Sequence, residues 1–268
     1  MAPFLRGEGY RVPSLVGLVR ETGLVAEVTR QVVHSGLRRG LGLLAPSSPR
    51  QGEAPVLLVP GFFLGDASLA PLAGELRRAG HPTWHSRMHA NVGCTMAALD
   101  ELEARLEHVH DRTGQRVQVV GHSLGGLLAR GLAARRPDLV DGIVTVASPM
   151  QAPGAHHPFL TLGVEALAIL SKVGVKGLME RDCVAGECAR LAYATCRTPL
   201  AAGLTFTAFT SPRDGVVDHR ACVDAQACVV TVQASHLGMV VAPKVVTRIV
   251  HAVAQPSPVL MLPVEHAA

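Results

Sequence analysis

Aromatic side chains, an excess of charge of either sign and long apolar runs are all scarce in this 268-residue sequence. Aromatic residues make up 3% of the chain, and 25 basic residues stand against 21 acidic ones, so nothing indicates a base-stacking surface or a basic groove for nucleic acid. The longest apolar runs, such as residues 55–64 and 159–170, are shorter than the roughly 18 residues that a transmembrane helix needs. We therefore expect a soluble globular protein that does not bind nucleic acid.

A clear export signal is also lacking. Charged residues, among them Arg20, Glu21 and Glu27, interrupt the N-terminal region, whereas a secretory signal needs an unbroken apolar run. The pair Arg38 and Arg39 precedes only a short apolar stretch, which is weak evidence for twin-arginine export. A cytoplasmic location is favoured, with export left open, and the oligomeric state is not readable.

The cysteines favour neither a disulfide scaffold nor a metal site. There are too few for a scaffold in a chain of this length, and their linear spacing does not match a zinc site; they are Cys94, Cys183, Cys188, Cys196, Cys222 and Cys228. A glycine-rich dinucleotide-binding turn is also absent from the strand-to-helix junctions. These patterns therefore favour neither a zinc site nor a dinucleotide-binding fold.

The two ends of the chain differ in character from its middle. Residues 12–44 carry apolar side chains near the helical period, which predicts one or two amphipathic helices. Packing on the body is the favoured interpretation, and membrane-surface contact is the alternative. The breaker-rich residues 46–54 indicate a linker. We expect an N-terminal extension over residues 1–50, a main domain over 51–255 and a tail over 256–268.

From residue 55 onward, short β-rich apolar runs alternate with segments of helical periodicity. The predicted strands are Pro55–Val59, His81–His85, Val117–Gly121, Gly142–Ala147, Leu204–Thr210 and Cys228–Val232. The predicted helices are Ala67–Ala79, with Asp66 placed to cap it, Thr95–Arg112, Leu124–Arg135 and Val240–Ala254. This alternation predicts an α/β domain with a mostly parallel sheet and helices on both faces.

The alternation breaks between residues 151 and 201. An apolar segment of helical pattern, residues 159–178, is followed there by a stretch with three cysteines. A long irregular stretch inside a regular α/β domain is more often a functional lid than a plain connection. We expect a helical lid or cap at residues 151–201.

One strand-to-helix junction carries a chemical motif. A predicted strand runs through Gly121-His122-Ser123-Leu124-Gly125 into a predicted helix, and Gly-x-Ser-x-Gly in that context is typical of a nucleophilic serine. The sharp turn strains the serine backbone, and the two glycines let it close because they lack side chains. The helix aims its free amides at the place where negative charge would develop. The Leu124 amide is therefore one predicted oxyanion donor.

A serine hydroxyl also needs a base and an acid that orients the base. In this architecture both lie downstream, on the loops after the last two strands, in the order Ser, Asp, His. Asp214 follows the fifth predicted strand and is the predicted acid, with Asp218 as the alternative. His236 follows the sixth and is the predicted base. His122 is expected to point away from the serine and to serve in packing.

A second oxyanion donor should come from the loop after an early strand. The sequence Val59-Pro60-Gly61-Phe62 fits this requirement, because Gly61 allows a close backbone approach and Phe62 offers its amide. The alternative is an ordinary turn between a strand and a helix.

Together these motifs resemble those of the α/β-hydrolase superfamily, and within it bacterial lipases and esterases. The resemblance covers about residues 54–254 and rests on Pro60–Phe62, Gly121–Gly126, Ser148-Pro149, Asp214–Val217 and Ser235–Gly238. Many relatives have His-Gly where this chain has Pro60-Gly61. The segments around Cys183 and Cys188 are similar to a cysteine pair in the cap of some actinobacterial lipase-like proteins, and Cys222 also has counterparts there. A Cys183–Cys188 disulfide is one state that this similarity implies.

The resemblance implies acyl-enzyme chemistry without a cofactor, in which Ser123 attacks an ester carbonyl, His236 is the base and Asp214 orients it. The apolar insertion either lines an acyl pocket or only packs the cap. The predicted pocket residues are Phe63, Met150, Phe159, Leu160 and Leu167. A lipophilic ester is favoured over a sugar or a peptide. An acyltransferase or thioesterase with the same triad is the alternative, and a non-catalytic binding protein is the least favoured.

Overall fold

A computed structural model describes residues 3–11, 13, 21 and 53–255. Apart from Pro13 and Glu21, the helices predicted over residues 12–44 lie outside these described residues, as do most of the predicted linker and the whole predicted tail. Within the described ranges, no helix has both the length and the apolar character needed to cross a membrane.

The centre of the fold is a six-stranded sheet in which every neighbouring pair of strands is parallel. In chain order its strands are β1 Val56–Val59, β2 Thr83–His85, β3 Val117–His122, β4 Val140–Val146, β5 Thr205–Thr210 and β6 Cys228–Thr231. Their order across the sheet is β2-β1-β3-β4-β5-β6. All six predicted strands are thereby confirmed, and the α/β class with them.

Helices cover both faces of this sheet. They are α1 Pro3–Arg6, α2 Ala70–Ala79, α3 Thr95–Thr113, α4 Leu124–Arg135, α5 Pro158–Lys172, α6 Asp182–Ala185, α7 Glu187–Arg197 and α8 Pro243–Ala254. Because successive side chains of a strand point to opposite faces, Leu57 joins the core beneath α3 and α4, whereas Leu58 joins the core beneath α2 and α8. A strand buried on both faces reads as the continuous apolar run seen in β1.

Asp66 does not cap the helix that follows it, so that prediction was wrong. It begins a short 3-10 turn, Asp66–Leu69, and makes no capping hydrogen bond there. Its carboxylate instead accepts hydrogen bonds from the backbone N–H and hydroxyl of Ser86 and from the backbone N–H of Arg87. Helix α2 starts with a proline in its first turn, where one missing N–H costs nothing. Asp66 therefore ties the loop after β2 to the loop after β1.

Residues 151–201 lie between β4 and β5, contain α5, α6 and α7, and are called here the inserted segment. The segment has a small apolar cluster of its own, which packs against Phe62 and Val92 of the body; its buried members are Val164, Leu167, Met179 and Val184. Its end is held by the buried Arg130 of α4, which donates hydrogen bonds to the carbonyls of Cys196 and Thr198 and pairs with Asp224. The predicted helical pattern to residue 178 ends earlier, at Lys172.

Candidate active site

The site lies at the carboxyl ends of β1 and β3, where the order of strands reverses in direction. From β1 the chain moves outward to β2 and then returns to place β3 on the other side of β1. Ligands of open α/β sheets bind in the crevice at such a switch point. The predicted oxyanion loop follows β1 and the predicted nucleophile follows β3, so the fold brings these two motifs side by side.

Ser123 occupies a strained turn between β3 and α4. Its backbone has φ 54° and ψ −121°, a region that a side-chain-bearing residue rarely adopts. A Cβ on Gly121 would lie 2.2 Å from the carbonyl oxygen of Gly125, and a Cβ on Gly125 would lie 2.2 Å from that of Val59. Both positions therefore require glycine. The turn holds Ser123 at the head of α4, with its side chain at the cavity wall.

Asp214 and His236 form a buried pair. Asp214 Oδ2 lies 2.8 Å from Nδ1 of His236, and the two side chains are 1% and 5% exposed. The other carboxylate oxygen, Oδ1, accepts hydrogen bonds of 2.8 Å from the backbone N–H groups of Val216 and Val217. Because the carboxylate can only accept, the ring must donate from Nδ1, which leaves Nε2 as the free ring nitrogen.

Asp218, the alternative acid, has a different set of partners. It caps the 3-10 turn His219–Cys222 and pairs with the guanidinium of Arg220, and its carboxylate also accepts from the backbone N–H of Arg11. Burial acts to raise the pKa of Asp218, but the hydrogen bonds from Arg220 and Arg11 outweigh it and hold that pKa at about 2. Asp218 is thus a structural anion that ties the N-terminal segment to the loop after β5.

The pKa of His236 lies above its ordinary value. Burial alone lowers it, but the charge of Asp214, its hydrogen bond and the nearby charge of Glu21 together raise it. A buried imidazole beside two carboxylates is therefore a stronger base than a free one. His122, the third titratable group at this ring, contributes no charge at neutral pH, because burial and the charge of His236 lower its pKa to about 3.

Glu21 is a site residue that the sequence analysis missed. Its side chain is buried, with the residue 4% exposed, and its carboxylate accepts a hydrogen bond of 2.6 Å from the backbone N–H of His236. It accepts two more, at 3.1 Å from the N–H of Leu237 and at 3.4 Å from that of Gly215. One carboxylate thus links the loop of Asp214 to the loop of His236. No local signal marks it, because its partners lie about 200 residues further along the chain.

His122 packs against His236, a contact that the sequence analysis did not anticipate. Its ring packs on the ring of His236, with centroids 4.8 Å apart, and its Nε2 lies 3.2 Å from the carbonyl oxygen of His236. The neutral ring must carry its proton on Nε2 to make this bond, which leaves the buried Nδ1 without a partner among the described residues. His122 therefore packs against His236, so the packing role predicted for it lies within the site.

Phe62, in the loop after β1, borders the cavity at Ser123. Its neighbours are fixed by Asn91, whose carbonyl accepts from the Phe63 N–H and whose side-chain amide donates to the carbonyl of Pro60. In the described part of the chain, these bonds leave the Phe62 N–H without an acceptor. Leu124 is the first residue of α4, where N–H groups have no intrahelical partner. Both predicted oxyanion donors are therefore available, and Asn91 is a further residue that the sequence analysis missed.

Two apolar cavities meet at Ser123. One is bordered by the serine, His236 and Glu21 together with Phe62, Phe63, Phe159 and Leu160. The other leads from the serine between the body and the inserted segment, and its walls include Leu127, Leu160, Val164, Met179, Cys183 and Val184. The N-terminal helix α1 contributes Leu5 to this second cavity, which the sequence analysis did not anticipate.

Two predicted pocket residues lie elsewhere. Met150 is 2% exposed and packs in the core beneath α3 and α4. Leu167 packs inside the inserted segment with Val164 and Met179. Met150 follows β4 at the core side, and Leu167 is on the inner face of α5, so burial rather than pocket lining explains the apolar character of both. Phe63, Phe159 and Leu160 do border the cavities.

The serine and the imidazole border one cavity without a direct bond. Within residues 53–255, Ser123 makes no hydrogen bond to the ring of His236, although both side chains face the same space. Hydrogen bonds between a nucleophile and its base are often long in ligand-free sites and tighten only around a substrate.

Comparisons with known proteins agree with this architecture. Residues 54–173 match the family model described as the alpha/beta hydrolase fold. The mature form of the Bacillus licheniformis lipase BlEst2 superposes with a TM-score of 0.58 at 13% identity, over 77% of this chain and 96% of that one.

Two further structures give a similar result. A Paleococcus ferrophilus monoacylglycerol lipase has a TM-score of 0.53 at 14% identity, over 78% of this chain and 96% of its own. One of the metagenome-derived lipolytic enzymes LipS and LipT has a TM-score of 0.53 at 17% identity, over 79% and 99% of the two chains. At such identities the likeness is one of fold. The chain therefore has the α/β-hydrolase fold and is similar in architecture to these lipolytic enzymes.

Proposed function

We propose that this protein is a serine hydrolase that cleaves carboxylic esters of lipophilic substrates through an acyl-enzyme. The observation that carries the proposal is the meeting of a strained serine turn with a buried Asp–His pair at one cavity. The family match and the lipases among the similar structures support the same chemistry.

In this mechanism Ser123 Oγ attacks the ester carbonyl while His236 Nε2 takes its proton. Asp214 holds the ring in the tautomer that exposes Nε2 and stabilises the imidazolium that forms. The imidazolium then gives its proton to the leaving alcohol, and an activated water repeats the sequence to release the acid. The raised pKa of His236 favours proton transfer from a weakly acidic hydroxyl.

The oxyanion of each tetrahedral intermediate is assigned to the backbone N–H groups of Phe62 and Leu124. Preorganised donors of this kind stabilise the transition state, and losing one typically costs about 2.7–4 kcal/mol of barrier. The positive end of α4, which begins at Leu124, adds a favourable field at the same place.

The substrate class follows from the walls of the two cavities. Apart from the reacting groups, the side chains that border them are mainly aliphatic or aromatic, among them Leu127, Leu160 and Val164. Burial of an acyl chain against such a surface is favourable, whereas the surface offers few hydrogen-bond partners for the hydroxyls of a sugar. We assign the inserted segment the role of a lid that forms one wall of this acyl pocket.

The decisive experiment is the intact mass of the protein after exposure to a fluorophosphonate. We expect one adduct on the wild type, none on Ser123→Ala and strongly slowed labelling of His236→Ala. Ser68→Ala is the matched control, because Ser68 bonds only the carbonyl of Gly65 in the described structure and should label like the wild type. A folded wild type that stays unlabelled with and without detergent would overturn the proposal.

Product analysis then separates hydrolysis from acyl transfer, which share the first half-reaction. Wild-type enzyme that has not been exposed to the fluorophosphonate is supplied with a short-chain and a long-chain ester in the presence of competing alcohol and thiol acceptors. Free acid as the main product is the expected result. A transferred acyl group as the main product would make the protein an acyltransferase with the same site.

A further inference from the structure

Three cysteines converge at the junction of the body and the inserted segment. Cys94 immediately precedes α3, Cys183 lies in α6, and Cys188 lies in the first turn of α7. Their three Sγ atoms all lie within 4.8 Å of one another, and those of Cys94 and Cys188 are 3.3 Å apart although 94 residues separate them in sequence. All three side chains are half-buried, so the cluster is within reach of solvent.

A short turn of the inserted segment fixes the positions of two of these thiols. The carboxylate of Asp182 accepts hydrogen bonds from the backbone N–H groups of Glu187 at 3.0 Å and Cys188 at 3.1 Å. A Cβ on Gly186 would lie 1.8 Å from Asp182 Oδ1, so only glycine lets the carboxylate reach these donors. The sequence from Asp182 to Cys188 thus forms one hydrogen-bonded unit that carries both cysteines.

The chemistry of the three side chains suits a thiophilic cation. Thiolate is the form in which cysteine binds metals, so each of these thiols would give up its proton to a bound cation.

The number and spacing of the sulfurs match one thiophilic cation. Zinc–sulfur bonds of about 2.3 Å at a tetrahedral centre place the sulfurs roughly 3.8 Å apart. The Cys94–Cys188 separation is 3.3 Å and no separation exceeds 4.8 Å, so small side-chain shifts would bring the sulfurs to that distance. A disulfide would join only two of the three sulfurs, whereas one metal ion can bind all three.

We propose that Cys94, Cys183 and Cys188 form a zinc-binding site, with the fourth coordination position open to water. Binding exchanges thiol protons for the cation, so each bound Zn²⁺ releases protons to the solvent and no oxidant or reductant takes part. Linear spacing did not reveal the site, because one ligand comes from the body and the other two from the inserted segment.

Such an ion would add a further link between the body and the inserted segment, which several hydrogen bonds already join. Next to the cluster, the N–H of Met179 in the inserted segment donates to the carbonyl of Val92 in the body. Cys183 also borders the cavity that leads to Ser123. The ion would therefore hold one wall of that cavity in place. This inference does not depend on the proposed hydrolase activity.

The test measures metal binding directly on the full, reduced chain. After equilibration with Zn²⁺ and removal of free ion, elemental analysis should give one zinc per chain. With Co²⁺ as the probe, the wild type should show intense thiolate-to-cobalt charge-transfer absorption in the near ultraviolet. Replacing any one ligand, as in Cys94→Ser, Cys183→Ser or Cys188→Ser, should weaken binding at least about tenfold, since the loss of an outer-shell partner alone costs that much.

Cys228→Ser is the matched control, because Cys228 is equally half-buried but lies outside the cluster, and it should bind like the wild type. The cobalt spectrum of the reduced wild type keeps the test decisive even if a serine variant fails to fold. A reduced wild type that shows no thiolate–cobalt absorption would overturn the site. So would binding that survives Cys94→Ser. A disulfide in the isolated protein overturns it only if reduction then yields no metal binding, and a failure of fluorophosphonate labelling has no bearing on these readouts.

Discussion

Side-chain burial differs between the loops at the carboxyl edge of the sheet and the inserted segment. At the sheet edge, the side chain of Asp214 is buried, and its carboxylate accepts hydrogen bonds from two backbone amides and from His236. The inserted segment instead leaves large apolar side chains in solvent, with Leu162 at 70% and Val173 at 72% exposure. The groups of the proposed chemistry are fixed by several hydrogen bonds, whereas α5, which would meet a substrate, packs through a small apolar cluster. Regions with few buried contacts open at the lowest free-energy cost.

The largest loss of activity should come from replacing Asp214, the proposed acid at the carboxyl edge of the sheet. Asp214→Asn keeps the shape but removes the charge and the acceptor that select the His236 tautomer, so we expect kcat/KM for a soluble ester to fall by about 10³–10⁴-fold. Asp218→Asn is the matched comparison. It should lower stability through the lost Arg220 pair and change kcat/KM by less than about tenfold. Equal losses of activity in the two variants would contradict the assignment of Asp214.

A pair of leucine truncations tests whether the two regions differ in stability. Leu128→Ala, in a fully buried position of α4, should lower the free energy of unfolding by about 2–5 kcal/mol. Leu167→Ala removes the same atoms from the small cluster of the inserted segment and should lower the global value by much less while raising KM. Denaturant unfolding and ester kinetics measure the two effects. Equal losses of stability would mean that the segment unfolds together with the body.

A substitution that disturbs the loop of Phe62 should have an intermediate effect on activity. Asn91→Ala leaves the buried carbonyl of Pro60 without its donor, which typically costs about 1–3 kcal/mol. Because this bond positions the Phe62 amide, we expect kcat to fall by about twofold to tenfold with little change in KM, if half of that energy appears in the barrier. A change confined to KM would show that the loop binds substrate without stabilising the oxyanion.

The smallest effect concerns the pH dependence. His236 acts as a base only when neutral, so kcat/KM should rise with pH through its raised pKa. Glu21→Gln removes one of the charges that raise this pKa, so the acid limb should move to lower pH, and kcat should fall several-fold as the loop loses part of its anchor. Glu8→Gln, at an exposed position, is the control and should leave the profile unchanged. An unmoved acid limb in Glu21→Gln would contradict the electrostatic role of Glu21.

Sequence periodicity predicted the body well, because its signals are local. The apolar runs of the strands and the period of α4, placed at Leu124–Arg135 in both sequence and structure, depend on neighbours within a few residues. The serine turn was also predictable, since its glycines and its flanking elements are contiguous. Asp214 and His236 followed from chain order, and the structure pairs them directly.

The features that escaped prediction all depend on distant partners. Asp66 resembled a helix cap but bonds Ser86 and Arg87, some 20 residues away. Met150 resembled a pocket residue because an apolar side chain gives no sign of which cavity or core will receive it. The cluster of Cys94, Cys183 and Cys188 is invisible to spacing rules, because the fold rather than the linear sequence brings its sulfurs together.

The position of Glu21 determines how much of the chain a complete candidate site requires. A chain cut back to residues 53–255 would retain the entire sheet, the serine turn, the acid and the base. It would lose the carboxylate that receives the backbone N–H groups of Gly215, His236 and Leu237, leaving three donors without their acceptor beneath the two loops. The residues that form the sheet and the residues that complete the candidate site therefore do not coincide, because the site includes a carboxylate from before the sheet.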